Sequence, residues 1–192
     1  MNTVILEKIL NSGEDRFDVF SRLVQNRIIF INDLISDKNT SDIIATLLYL
    51  DLDENNNDKI TVFINAECGD IRNVLAIYDI MQILSVPIET FCIGTAMREA
   101  VLLLAAGTKG SRLISKNADI CLSQVLSQSV SQSDLTNTKI SHDKILKDNE
   151  IFLKLLSKHL GKSLKTLKKD IERQKFMSAS QAVAYGIADE VV

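Results

Sequence analysis

Apolar residues along the first 122 positions recur in two alternating rhythms. Short near-continuous runs, Arg27-Ile28-Ile29-Phe30-Ile31, Ile60 to Asn65 and Ile88 to Ile93, are rich in β-branched and aromatic residues and predict strands. Between them, apolar positions fall at helical spacing. Val19, Leu23 and Val24 predict a helix over 18–26, and Ile43, Ile44, Leu47, Leu48 and Leu50 a second, capped by Thr40-Ser41-Asp42. Val74, Leu75, Ile77, Tyr78 and Ile80 predict a third over 71–84, broken before Pro87, the only proline. Thr90 to Gly107, TFCIGTAMREAVLLLAAG, reads as a strand, a tight turn at Gly94-Thr95-Ala96 and a buried helix over 97–106. Two short strands follow, at 112–114 and 118–122.

Strands and helices in alternation predict an α/β fold, a mostly parallel sheet with helices on both faces. Ligand sites of such sheets lie beyond the carboxyl ends of the strands. That edge collects Gly69, Gly94 to Arg98, and Ser123.

The pattern then changes. Residues 123–139 contain five serines in seventeen positions and almost no charge, which suits either a flexible loop or an extended segment with a polar face. A long amphipathic helix follows over 140–160, with Ile145, Leu146, Ile151, Leu153, Leu155 and Leu156 apolar, and stands off the core until Gly161 ends it. Ser163 caps a lysine-rich helix and Ser178 a last one, with Gly186 at its C-cap. The first sixteen residues pass from an apolar patch into a Ser-Gly-Glu-Asp turn.

Composition narrows the function classes. The chain has 192 residues, enough for one domain with its own core, and is 46 % hydrophobic and 24 % charged. A net charge of −3 gives no basic field for nucleic acid or an anionic membrane. The longest apolar run, from Ala100 to Gly107, is far short of the roughly 20 residues that span a bilayer. No signal-peptide pattern opens the chain. Cys68, Cys92 and Cys121 have no metal-ligand spacing and read as small buried groups in a reducing compartment. Asp51, Asp53, Asn55 and Asn57 approximate a calcium loop. Asn56 replaces its glycine and Val62 its closing glutamate, so a solvated acidic loop is expected, with no metal and no cofactor.

A strand delivered into a helix through a small-residue turn is a common way to present a nucleophile beside an oxyanion-binding helix end. Here the projecting residue is Arg98, followed by Glu99. Arginine stays protonated at any ordinary pH and is neither nucleophile nor base.

The order and spacing of FDVFSRLVQNRIIF, the FIN-xxxG turn with LAIYDIMQ, CIG before VLLLAAG, and FMSASQAVAYGIADEV resemble the Clp protease proteolytic subunit family (ClpP), specifically its non-catalytic, plastid-type ClpR branch. The resemblance covers essentially the whole chain. It implies a ClpP/crotonase-like fold with an N-terminal axial segment (1–16), a head (17–122 and 161–192) and a protruding handle (123–160). It also implies self-association into a heptameric ring, with or beside an active ClpP subunit, fed by a Clp-type AAA+ ATPase, in the stroma of a plastid-type organelle such as an apicoplast or chloroplast.

The resemblance also assigns positions. The family's G-x-A-[AS]-S-M-G turn puts Arg98 at the nucleophile and Glu99 at an oxyanion donor. Its H-Q-P triplet puts Ser123 at the general base, and its E-R-D-x-F puts Gln174 at the orienting aspartate. Its S-P-G-G turn becomes Ala66-Glu67-Cys68-Gly69, keeping Gly69 as the other oxyanion donor. All three triad positions are substituted, which implies a pseudo-protease with a structural or regulatory role. Arg98 is then expected to fill the vacant pocket, held by Glu67 or Glu99. Arg173 matches a ring–ring contact, and Thr61 and Phe63 match an ATPase-docking surface. Leu126 to Asp134 lacks the family's glycine-rich strand. His142 and His159 fall on the long helix, away from the site, and read as solvated. Two alternatives keep an enzyme: a peptidase with a relocated nucleophile at Cys68 or Ser123, and a crotonase-like acyl-CoA enzyme using Glu67 and Glu99.

Overall fold

The computed structural model describes residues 5–10, 13–53, 56–125 and 135–192. The described residues open with two antiparallel strands, β1 (Ile5–Leu10) and β2 (Gly13–Asp18), where an apolar patch and a turn were expected. Helix α1 (Val19–Gln25) leads into β3 (Ile28–Asn32), and α2 (Asp37–Asp51) into β4 (Ile60–Ala66). Helix α3 (Ile71–Ile83) leads into the ten-residue β5 (Ile88–Met97), and α4 (Ala100–Ala105) into β6 (Arg112–Ile114) and β7 (Asp119–Leu122). The remainder is α5 (Leu135–Leu160), α6 (Leu164–Glu172), β8 (Lys175–Ser178), α7 (Ala179–Tyr185) and β9 (Glu190–Val191).

Strands β3, β4, β5, β6 and β9 lie side by side and parallel. Strand β5 is long enough to pair twice along one edge, Thr90–Cys92 with β6 and Thr95–Met97 with β7. Strand β8 adds antiparallel to β7. This is the α/β, ClpP/crotonase-like arrangement expected, with two short strands, β8 and β9, that the apolar pattern did not show.

Helices cover the two faces unequally. Ile29, Ile31, Ile60, Val62, Ile64, Ile88 and Cys92 are buried beneath the layer of α2, α3 and α4. The alternate positions Ile28, Phe30, Thr61, Phe63, Glu89 and Phe91 stay half-exposed on the other face, where α1 packs against β3. One-sided burial explains why Thr61 and Glu89 interrupt otherwise apolar strands.

Helix boundaries follow local chemistry. Helix α2 starts at Ser36, whose N–H donates to Asn39 Oδ1 at 2.8 Å; Thr40, expected in the cap, lies inside and donates its hydroxyl to the Ser36 carbonyl at 2.8 Å. Asp51 is no member of a solvated loop. It ends α2 and accepts from Ser85 N–H at 2.9 Å and Ser85 Oγ at 2.8 Å, tying α2 to the turn before β5. Ser163 and Gly186 cap as expected, Gly186 with a φ of 96°.

Helix α5 starts five residues before the expected Ile140. Its second half buries Phe152, Leu153 and Leu156 in the core. Its first half leaves Ile140 and Leu146 exposed. Leu126 to Asp134, the segment expected as loop or extended strand, lies outside the described residues, as do Glu54 and Asn55.

Candidate functional site

The strand-to-helix turn sits four residues later than the apolar pattern predicted. Gly94-Thr95-Ala96 is a bend within β5, not its end. Gly94 has a φ of 81°, and a Cβ there would lie 2.6 Å from Asn65 Oδ1, which accepts the Thr95 N–H at 3.2 Å. The bend lets β5 continue alongside β7, and the chain turns instead at Arg98 and Glu99. Arg98 has a φ of 55°, the left-handed region that side chains bearing a Cβ enter at a cost. Its N–H donates to the Cys121 carbonyl at 2.8 Å, and its carbonyl accepts from Val101 N–H at 3.2 Å to open α4.

Register brings the other positions to the same corner. Met97 pairs with Cys121, and Leu122 pairs with Lys175. The next residues outward are Arg98 after β5, Ser123 after β7, and Gln174 before β8. Ser123 is 3 % exposed; its hydroxyl lies 3.5 Å from the Gln124 carbonyl. Gln174 is exposed, and Glu99 is completely buried.

The fourth contributor is the turn leaving β4. Gly69 forms an isolated parallel bridge with Ile35, and a Cβ on it would lie 2.6 Å from Ile35 Cβ. Close backbone approach therefore demands glycine here. Glu67 points outward and is exposed, whereas Cys68 is half-buried. Burial pushes the Cys68 thiol pKa up, the carboxylates of Glu99 and Glu67 push the same way, and only Arg98 opposes them. Cys121 is likewise raised by burial and lowered by Arg98, and burial alone drives Cys92 to about 12. These thiols are the reverse of activated.

Beside this corner lies a cavity of about 480 Å³ walled by Asp33, Leu34, Asn65, Glu67, Cys68 and Thr95. The apolar pattern gave no sign of Asp33, Asn65 or Thr95 as wall residues. Only Asn65 carried a hint, as a polar residue closing an apolar strand. Among the described residues no cluster of His, Cys, Asp and Glu could hold a metal ion.

The remaining expected positions lie elsewhere. Arg173 is exposed in the bend after α6. Thr61 donates to Glu89 Oε1 at 3.1 Å on the half-exposed sheet face. Phe63 stacks between Phe30 and Phe91, each ring centroid 5.1 Å away, and Phe20 of α1 meets Phe30 edge-on at 6.0 Å. Three of those four rings went unnoticed, although equal spacing into their strands marks Phe30, Phe63 and Phe91 as cross-strand partners. His142 is exposed, as expected. His159 is half-buried rather than fully solvated: its Nε2 is 2.9 Å from Tyr78 Oη, at the opposite end of the sheet from Arg98.

A Clp protease family model matches residues 11–192 of the chain. The chain belongs to the Clp protease family. Members of this family are usually serine peptidases that typically oligomerise and work with Clp ATPases. Among the described residues no helix is long and apolar enough to cross a membrane.

Proposed function

We propose that this Clp protease family member is a catalytically inactive, ClpR-type subunit, structural and regulatory rather than hydrolytic. One observation carries the reading: the residues that converge where β5, β7 and β8 meet are Arg98, Ser123 and Gln174. Acyl transfer needs an activated oxygen or sulfur nucleophile with a base in hydrogen-bond reach. Arg98 supplies neither, Ser123 is not a base near neutral pH, and Gln174 carries no charge to support one. Gly69 keeps the family's glycine at the oxyanion turn, and its contact with Ile35 gives it a packing role that outlasts catalysis. Arg98 fills the position a nucleophile would occupy, and its charge opposes those of Glu67 and Glu99 at the Cys68 thiol. The raised Cys68 thiol argues against a relocated cysteine nucleophile.

The subunit takes its place in a heptameric ring, alone or with active ClpP, in a plastid-type organelle. The head (17–122, 161–192) builds the ring wall, the handle (123–160) reaches toward a second ring with Arg173 near that contact, and the axial segment (1–16) faces the pore. Thr61 and Phe63 belong to the surface offered to a Clp ATPase. Incubating the purified chain with a fluorophosphonate probe and fluorogenic peptides should give neither labelling nor turnover. Labelling abolished by Ser123→Ala, or turnover abolished by Cys68→Ala, would overturn the assignment.

A further inference from the structure

Helix α6 carries its charges against the usual rule. Acidic residues stabilise the first turn of a helix, yet that turn of α6 holds Lys165 and no carboxylate. Lys168 and Lys169 follow three and four residues on, the spacing that puts side chains on one face, where like charges repel. The opposite face is anchored, with Leu167 and Ile171 buried in the core. All three lysines are exposed on the side away from that core. Nothing in the stability of α6 itself accounts for this row.

The row belongs to a wider basic surface. From Lys154 to Lys175 the chain has eight lysines and arginines against two carboxylates, a net charge of +6 in a chain that totals −3. Helix α6 packs on α5. The hydrogen bond and charge of Lys154, and then the charge of Lys168, hold the Glu150 carboxyl below its usual range, so Lys168 stands beside that row of α5. Asp170 is taken up by the Tyr185 hydroxyl, which donates to it at 2.6 Å, and by Lys175 at 3.1 Å. Among the described residues no carboxylate pairs with Lys158, Lys165, Lys168, Lys169 or Arg173. Lys158 also borders a cavity of about 420 Å³ at the ends of α3, α4 and α5. Its lining includes Lys109 and His159 but no carboxylate, and Met81, Val86, Ile88 and Ala105 give it a buried apolar floor. Arg112 in its wall is already held by Asp189.

We infer that this α5–α6 surface docks an acidic segment of another polypeptide, its carboxylates on Lys165, Lys168 and Lys169 and one apolar side chain in the cavity beside Lys158. Charge complementarity steers such a partner, and an apolar floor inside a basic rim fixes its register. Single-stranded nucleic acid would need open aromatic platforms among the cations. Tyr185, the ring within this surface, is instead covered by Lys162 at 4.2 Å and Lys175 at 4.8 Å from its centroid. An anionic membrane would need an apolar helix face beside the charges, and α6 keeps Leu167 and Ile171 in the core. Helix α5 packs on α4, across the sheet from the phenylalanine row, so the surface is separate from the one proposed for a Clp ATPase. It is also independent of whether the subunit is catalytic.

Fluorescence anisotropy on the full chain tests it with a labelled peptide, Glu-Glu-Glu-Leu-Glu-Glu-Glu-amide. The peptide should bind saturably, and its counterpart with glutamine for every glutamate should not. Serine in place of the leucine should weaken binding about fivefold, from the lost burial in the cavity. The variant Lys165→Glu/Lys168→Glu/Lys169→Glu should keep its circular dichroism, because these side chains are exposed, and weaken the peptide about tenfold or more. A control, Lys38→Glu/Lys116→Glu/Lys144→Glu, changes the net charge equally at exposed positions elsewhere and should stay within about twofold of the parent. A short DNA duplex and phosphatidylglycerol vesicles should both bind more weakly than the peptide. Tighter binding of either, equal affinity of the leucine and serine peptides, equal losses in the two triple variants, or no saturable binding of the acidic peptide would overturn the inference.

Discussion

Arg98 combines in one residue a left-handed backbone and a side chain that is neither nucleophile nor base. The turn geometry follows from the pairing of β5 with β7 and the Arg98–Cys121 hydrogen bond, so it persists whatever the side chain. Glycine enters that region without the steric cost. Arg98→Gly is therefore expected to stabilise the fold by about 1 kcal/mol in urea unfolding; a loss of stability would mean the side chain contributes packing that outweighs the strain. His159 makes the second prediction at this scale. Burial, then Lys158 and Arg112, hold its pKa below the ordinary histidine value, so the folded protein favours the neutral ring bonded to Tyr78. The unfolded chain binds the proton more readily. Stability is thus complete above about pH 6.5 and declines as pH falls from there through the depressed folded-state value. Thermal melts from pH 8 to 5 should show this decline, and His159→Gln should flatten it.

At the scale of elements, periodicity located the interiors of strands and helices and misplaced their ends. Strand β5 was legible as far as Ile93 because burial alternates cleanly there. Gly94-Thr95-Ala96 looks like a turn in sequence, yet Asn65 and the register with Asp119–Cys121 keep it inside the strand as a bend. Strands β8 and β9 were missed because each is four residues or fewer and takes its identity from a partner distant in sequence. Helix α5 shows amphipathicity divided along its length, with Phe152 buried and Ile140 61 % exposed. On the half-exposed sheet face, Phe63 sits in the middle of the aromatic row. Phe63→Ala should cost about 1–2 kcal/mol from lost area and ring contacts, read from the melting temperature. The same variant should lose binding to a Clp ATPase in calorimetry, whereas a surface change such as Lys165→Ala should retain it.

For the whole molecule, the half-exposed row of phenylalanines and the exposed Ile140 and Leu146 on α5 are surfaces that a lone subunit leaves open. Exposed patches of this kind mark association in soluble proteins. Native mass spectrometry of the chain, alone and mixed with an active ClpP subunit, is expected to show a seven-membered ring in at least one of the two conditions. A monomer in both would remove the structural role proposed here.

The sequence by itself determined the alternation of strands and helices and the helix caps at Ser163 and Gly186, and it supplied the residue types, Arg98, Ser123 and Gln174, on which the proposal of lost catalysis rests. These are local matters of periodicity, torsional preference and functional-group chemistry. Only the tertiary structure decided where β5 ends, that Gly69 is required by Ile35, and that His159 is bonded to Tyr78. Each depends on contacts between residues far apart in the chain. No local pattern encodes them, because the partner's position is set by the register of the sheet and the packing of helices upon it.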